Sequence, residues 1–167
     1  MPQLAVAPGS PWSVVRPLSD MRRTGHAVLD LLEYARRGLT EAAAATSPGE
    51  RYVAAHLAAL RAGAAVLAAR ARPKGQAGRR RSRRAGPRNV WVDLARVAPE
   101  LSEWADLFAS GAAKRAAAQA GLPRAVTERD ADDMLREADV FVAQVCGLLG
   151  LPYQEPLTGA VLGFATS

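Results

Sequence analysis

The chain has 167 residues and a net charge of +6, with 49% apolar residues, 5% aromatic residues, one cysteine and two histidines. This length fits one domain with a single core. One cysteine excludes an intrachain disulfide, and one cysteine with two histidines cannot furnish a conventional structural zinc site. We expect no metal site and no cofactor. No run of 18 or more uncharged apolar residues is present, which predicts a soluble cytoplasmic protein without a membrane span.

The N-terminal residues 1–22 contain four prolines and no helical periodicity, which predicts a disordered arm. The first helix is expected from about Thr24 to Ala45. Its apolar positions recur at the spacing of one helix face. They are Val28, Leu31, Leu32, Ala35 and Leu39.

The stretch TSPGE predicts the start of the second helix. Ser47 is the expected N-cap, Pro48 occupies the first helical position, and Glu50 is placed to complete a capping box. The larger apolar residues of this helix form a narrow stripe that we expect to face the core, before RPKG ends the helix. They are Val53, Leu57, Leu60, Ala64 and Leu67.

Residues 72–88 hold eight basic residues and no acid, which leaves the rest of the chain with 14 basic residues against 16 acids. Glycine and proline punctuate this stretch, so we predict a flexible basic loop. Its charge favours salt-sensitive, sequence-independent binding of nucleic acid. A solvated insertion and a loop that docks on an acidic protein partner are the alternatives. The residues predicted to bind nucleic acid are Arg79, Arg80, Arg81, Arg83, Arg84 and Arg88.

Helical character resumes at Asn89, and Pro99 is expected to begin a new turn at an angle to the preceding helix. Gly121 ends the next helix. Thr127 and Asp130 then repeat the capping logic before a last helix that Gly150 closes. Residues 151–167 contain two prolines and predict an extended or disordered tail.

Without strand alternation or hairpin signals, the helical segments predict an all-α protein. We expect residues 23–150 to form an antiparallel bundle of four to five helices that carries the basic loop 72–88.

Two stretches, RYVAAHLAALRAGAAVLAA and RNVWVDLARVAPELSEWADLF, resemble the HEPN superfamily in their layout over roughly residues 25–150. The resemblance implies a HEPN-like helical bundle, a fold that often dimerises. The chain looks most like a small, stand-alone bacterial member of the superfamily. Many members are metal-independent ribonucleases of toxin–antitoxin or defence systems, and others bind only nucleotides or RNA. Their catalytic motif is an arginine, four to six residues, then a histidine, frequently with asparagine after the arginine.

Arg88 and Asn89 match the opening of that motif, but Asp93 stands where the shortest spacing places the histidine. An aspartate is charged at neutral pH, so it repels a phosphate and cannot donate a proton to it. We interpret RNVWVD as a degenerate motif. The structural alternative is that Asn89 caps a helix while Asp93 sits in its first turn.

RYVAAH also satisfies the spacing between arginine and histidine. On a regular helix, however, Arg51 and His56 point about 140° apart, so they cannot share one phosphate within one subunit. We therefore expect a partly buried core histidine and a solvent-facing arginine.

These patterns predict a non-catalytic protein that binds RNA or a nucleotide, forms a homodimer and has no membrane contact. The first alternative is a metal-independent endoribonuclease that uses Arg88, Asn89 and Asp93, with His56 contributed across a dimer. The second alternative is a helical protein-interaction module without nucleic-acid binding.

Overall fold

The computed structural model describes residues 18–70 and 89–153. Within these ranges the chain forms five α-helices and one 3₁₀ turn, and no strand, which confirms the predicted all-α bundle. The elements in chain order are α1 (Leu18–Ala44), α2 (Pro48–Arg70), α3 (Val90–Val97), the 3₁₀ turn (Pro99–Leu101), α4 (Ser102–Gln119) and α5 (Glu128–Leu148).

The first two helices form a tightly packed hairpin. α1 begins at Leu18 rather than near Thr24, so residues 18–22 are helical and do not belong to the predicted arm. The sequence from 18 to 23 has no proline or glycine to prevent this extension. Ser47 accepts a hydrogen bond at Oγ from the backbone N–H of Glu50 at 3.2 Å, as an N-cap residue should.

α2 is the central helix, because α1, α3, α4 and α5 all pack against it. The predicted core stripe of this helix is wrong: those five residues are only half-buried, and small residues occupy the covered faces. Small side chains let neighbouring helix axes approach closely. The buried residues are Tyr52, Ala55, His56, Ala58, Ala59, Ala62, Gly63, Ala65 and Val66.

By length and composition alone, α2 also satisfies the criteria for a membrane-spanning helix, with a mean hydropathy of 1.5 over an 18-residue window. Half of that window is buried inside the bundle. The core helix of a soluble domain satisfies the same criteria, so this apolar character is weak evidence for a membrane span.

The bend between α3 and α4 follows the sequence closely. Ala98 interrupts the helix, and Pro99 opens the 3₁₀ turn that leads into α4. Gly121 has a φ of 71° beyond the end of α4, where a residue with a side chain would be strained. The backbone N–H of Leu122 reaches back to the carbonyl of Ala117 at 3.1 Å, which closes the helix end.

The last helix has the predicted capping box. The Thr127 hydroxyl accepts from the backbone N–H of Asp130 at 3.1 Å, and the Asp130 carboxylate accepts from the backbone N–H of Thr127 at 3.0 Å. Gly150, with a φ of 68°, follows the end of the helix. The chain then turns back, and the Arg36 guanidinium of α1 donates to the carbonyl of Pro152. The first residues of the predicted tail are therefore fastened to the bundle.

Candidate functional site

The RNVWVD stretch opens α3. Asn89 is the N-cap, and its Oδ1 accepts a hydrogen bond from the backbone N–H of Trp91 at 3.1 Å. Trp91 is only 4% exposed and stacks on Phe108 with ring centroids 5.1 Å apart. Asp93 accepts a hydrogen bond from Arg96 at 2.7 Å, one turn along the same helix. Asn89, Trp91 and Asp93 therefore each help to build or position the helix.

His56 lies at the centre of the bundle and is fully buried. Its Nε2 is 2.8 Å from the carbonyl oxygen of Phe108, and because a carbonyl only accepts, Nε2 carries the proton. Trp91 and Phe108 contact the ring edge-on, each with a centroid 6.0 Å away, and Tyr52 stacks at 6.3 Å. Burial lowers the pKa of His56 below its usual value, which favours the neutral ring.

The remaining ring nitrogen of His56 faces Arg115 of α4. Arg115 Nη1 lies 3.4 Å from Nδ1, which is the acceptor in this tautomer. The positive charge of Arg115 opposes protonation of the ring and adds to the effect of burial on its pKa. The structure thus pairs His56 with an arginine, but with one that the motif spacing does not identify.

Arg51 has different partners. Its Nη1 lies 3.0 Å from Glu128 and 2.7 Å from Asp132, both on α5, and its Nη2 donates to the carbonyl of Ala45 at 3.1 Å. The side chain is 19% exposed, so the expectation of a solvent-facing arginine is wrong. Arg51 and His56 do not converge, since their polar atoms contact separate sets of residues.

The residues predicted to bind nucleic acid lie outside the described residues. They are Arg79, Arg80, Arg81, Arg83, Arg84 and Arg88. The described residues nearest to this basic segment are fixed to the bundle. Arg70 donates to the carbonyl of Val97 at 3.0 Å and pairs with Glu100, while Asn89 caps α3. The segment therefore connects two anchored helix ends.

A polar groove of about 450 Å³ runs between α4 and α5. Lys114 and Asp130 form an ion pair of 2.8 Å at this groove, and the hydrogen bond from Lys114, aided by those from Thr127, lowers the pKa of Asp130 to about 2. Gly111 lies in the same wall, where an added Cβ would stand 2.7 Å from the Tyr52 hydroxyl. Across residues 18–70 and 89–153, His, Cys, Asp and Glu side chains form no group of three that could hold a metal ion.

Two residues of this region, Arg115 and Gly111, were not predicted from the sequence. Arg115 carries no local signal, because its contact with His56 joins positions 59 residues apart. Gly111 did carry one, since a glycine inside a helix often marks a close approach of another element. Here that element is α2, which brings the hydroxyl of Tyr52 close to Gly111.

The architecture defines a class: an all-α bundle around one apolar central helix. The model of the SAV_6107-like HEPN family matches residues 42–146, which is more than half of the chain. The chain belongs to that family, and the predicted HEPN resemblance is confirmed. Comparison with curated proteins and with solved structures gives no match.

Proposed function

We propose that this HEPN protein binds RNA or a nucleotide through electrostatic contacts and does not cleave RNA. The observation that carries the proposal is the segregation of charge along the sequence. Eight basic residues and no acid lie between Arg72 and Arg88, while acids outnumber bases in the rest of the chain. A concentrated basic segment binds a polyanion more strongly than the same charge dispersed among acids.

The position of the segment supports the same proposal. It joins Arg70, which is held by Val97 and Glu100, to the Asn89 cap of α3. The two residues that flank the segment are therefore held by the same part of the bundle, which is α3 and the 3₁₀ turn. A bound RNA would then contact several arginines at once.

The absence of cleavage is supported by the surroundings of the two candidate proton-transfer groups. His56 has no exposed surface, and both ring nitrogens face protein atoms. Asp93 is paired with Arg96 and sits in the first turn of α3, where the positive helix end favours a carboxylate. Proton transfer to a ribose oxygen needs a group that reaches the substrate.

We further propose that two copies pair through the partly exposed face of α2, the open face, which consists of Val53, Leu57, Leu60, Ala64 and Leu67. These residues recur at alternating spacings of four and three, the pattern of a helix-pairing seam. Arg61 is the one formally charged residue between Tyr52 and Ala69, so α2 is apolar on all sides. A helix that is apolar on all sides is normally buried on all sides. In a twofold-symmetric dimer, this face of one subunit would pack against the same face of the other.

The binding proposal is tested by the retention of a fluorescent single-stranded RNA at increasing salt, measured by anisotropy. We expect the logarithm of the binding constant to fall linearly with the logarithm of salt, with a slope of about −0.7 for each phosphate neutralised. A variant with alanine at Arg79, Arg80, Arg81, Arg83 and Arg84 should lose most of the binding and most of the slope.

A matched control for that variant removes arginines outside the basic segment. Arg37 and Arg129 are exposed on α1 and α5, and their double alanine variant should bind RNA as the original chain does. Equal RNA binding by the original chain and the five-alanine variant would contradict the proposal, as would no retention at low salt.

The pairing proposal is tested by sedimentation at several protein concentrations. Leu57→Glu places a charge in the middle of the open face and should yield monomers. Val140→Glu is the control, because Val140 is an exposed aliphatic residue on α5. A dimer that survives Leu57→Glu, or a monomeric original chain, would overturn this pairing. The cytoplasmic location remains a prediction.

A further inference from the structure

An apolar groove of about 370 Å³ lies at one end of the bundle, near the start of α1 and the ends of α2 and α5. None of the described residues that line it carries a charge, and Leu29 in its wall is 51% exposed. Exposed aliphatic surface is unfavourable in water, so the groove is suited to an apolar group and not to an ion. Its aliphatic walls are formed by Val28, Leu29, Ala69, Leu149 and Leu151.

Gly25 forms the part of the wall where α1 has no side chain. No atom of the described residues lies within 4 Å of a Cβ added at this position, so the space above the helix backbone is open. A glycine within a helix costs about 1 kcal/mol relative to alanine, and one that is retained there commonly marks the close approach of another group. The groove therefore has room for a large flat side chain over Gly25.

The segment that precedes α1 starts from the same end of the bundle. Residues 1–17 join the described chain at Leu18, which lies seven residues, or about 10 Å, before Gly25 along α1. Trp12 lies six residues before Leu18, and six residues span at most about 20 Å. Pro17 disfavours a helical conformation at the residue before it, so the chain can leave the helix axis there. The indole is therefore within reach of the groove.

The other two segments outside the described residues fit the groove less well. Residues 71–88 follow α2, but apart from proline they contain no apolar side chain larger than alanine. After Leu151 the chain runs away from the groove, because the carbonyl of Pro152 accepts a hydrogen bond from Arg36. Arg36 lies about 16 Å further along α1 than Gly25. The segment before α1 instead holds three large apolar residues within four positions, which are Trp12, Val14 and Val15.

We propose that the stretch WSVV, residues 12–15, turns back along the start of α1 and places the Trp12 ring in this groove. The ring covers Leu29 and lies over Gly25, while the indole N–H stays at the open side, where water can accept its hydrogen bond. This contact departs from the disordered arm that the prolines of residues 1–22 predict. It closes the end of the bundle and does not depend on the proposed binding of RNA.

The test is NMR on the isotope-labelled full chain, with the Trp12 signals assigned by comparison with Trp12→Ala. Nuclear Overhauser effects should join the Trp12 ring to methyl groups of Leu29, Leu149 and Leu151 within one copy of the chain. Contacts of these methyl groups with Phe164 instead would assign the groove to the C-terminal tail. Contacts seen only between differently labelled copies would assign it to a second copy, and either result would overturn the inference.

Gly25→Leu fills the groove from its own wall, because the space above Gly25 is open. We expect this variant to displace the ring, so that the contacts of Trp12 disappear and its signals move to the positions of an exposed tryptophan. Gly147→Leu is the matched control. Gly147 is also a glycine within a helix with no atom of the described residues near an added Cβ, and it does not line the groove. The control should leave the contacts of Trp12 intact.

Trp12→Ala gives a second reading that does not depend on a change within the bundle. Loss of the ring current should shift the methyl signals of Leu29 and Leu149, whereas Leu4→Ala, a change outside residues 12–15, should leave them in place. The inference is overturned if the Trp12 ring has no contact with the groove, or if Trp12→Ala leaves these methyl signals unchanged. It is equally overturned if the contacts of Trp12 survive in Gly25→Leu.

Discussion

RYVAAH and RNVWVD share the same spacing from an arginine to a polar residue five positions later, yet they occupy opposite environments. His56 of the first stretch is buried among aromatic rings in the middle of α2. Asp93 of the second lies near the surface in the first turn of α3, with Arg96 as its partner. Sequence spacing alone does not distinguish a core residue from a site residue, because burial depends on which helices pack against it.

The largest difference between the two stretches should appear in stability. His56→Ala removes a buried ring and its hydrogen bond to the carbonyl of Phe108, so we expect a loss of about 3 kcal/mol in the free energy of unfolding. His56→Gln keeps an N–H donor and should lose less. Chemical denaturation of the three proteins measures this, and an alanine variant as stable as the original would refute the buried role.

The stability should also depend on pH through His56. Burial lowers the pKa of this ring in the folded chain below the unfolded value of 6.5, so the unfolded chain binds more protons just below that pH. Stability is therefore fully present above about pH 6.5 and falls as the pH drops through 6.5 toward the folded pKa. Asp130, with its pKa lowered to about 2, loses its contribution only below pH 4.

Denaturation curves at pH 7.5, 6.5 and 5.5 measure the pH effect, with His56→Gln as the control that should flatten this dependence. An original chain and a glutamine variant with the same pH dependence would show that the imidazole does not titrate in this range. That outcome would break the contrast between His56 and a surface residue.

Arg51→Ala should have a smaller effect than His56→Ala. It removes the contacts with Glu128, Asp132 and the carbonyl of Ala45, which tie the start of α2 to α5 and the end of α1. Because the side chain is largely buried and has several partners, we expect a loss of about 1–2 kcal/mol. Arg37→Ala is the comparison, because Arg37 has one exposed partner. Equal effects of the two substitutions would contradict a stabilising role for the contacts of Arg51 with α5.

In the second stretch, Asn89→Ala should cost about 1 kcal/mol because α3 loses its N-cap. Asn89→Ser supplies another capping oxygen and should restore most of that stability. Thermal unfolding distinguishes the two variants. If serine fails to rescue, the amide has a role besides the cap.

Asp93→Ala should have the smallest effect. The ion pair with Arg96 is on the surface and spans one helical turn, so we expect a change of about 0.5 kcal/mol or less. The same variant should bind RNA no more weakly than the original, because it removes a negative charge five positions after Arg88 in the sequence. A clear loss of RNA binding on removal of this acid would indicate that Asp93 contacts the ligand.

Much of the fold could be predicted from local sequence. Ser47, Asn89 and Thr127 each act as the expected cap, and Pro99 and Gly121 mark a new turn and a helix end. These features depend on residues within one turn of each other, so a single sequence carries enough information to place them.

The orientation of α2 could not be predicted in the same way. Its alanines and its larger aliphatic residues both recur at helical spacing, so periodicity does not choose between the two faces. Leu57 and Leu60 are the core residues expected from size, but Ala58 and Ala62 are the buried ones, because α2 is packed closely by its neighbouring helices. The partners of Arg51 and Arg115 depend on that packing, and no local pattern indicates them.

We expect the protein to bind RNA without cleaving it, and one measurement tests this most directly. The original chain and Arg88→Ala are incubated with labelled single-stranded RNA in EDTA at low salt, and the RNA is examined both for retention and for length. The expected result is retained RNA of unchanged length with the original chain. Cleavage by the original chain that Arg88→Ala abolishes would contradict the account.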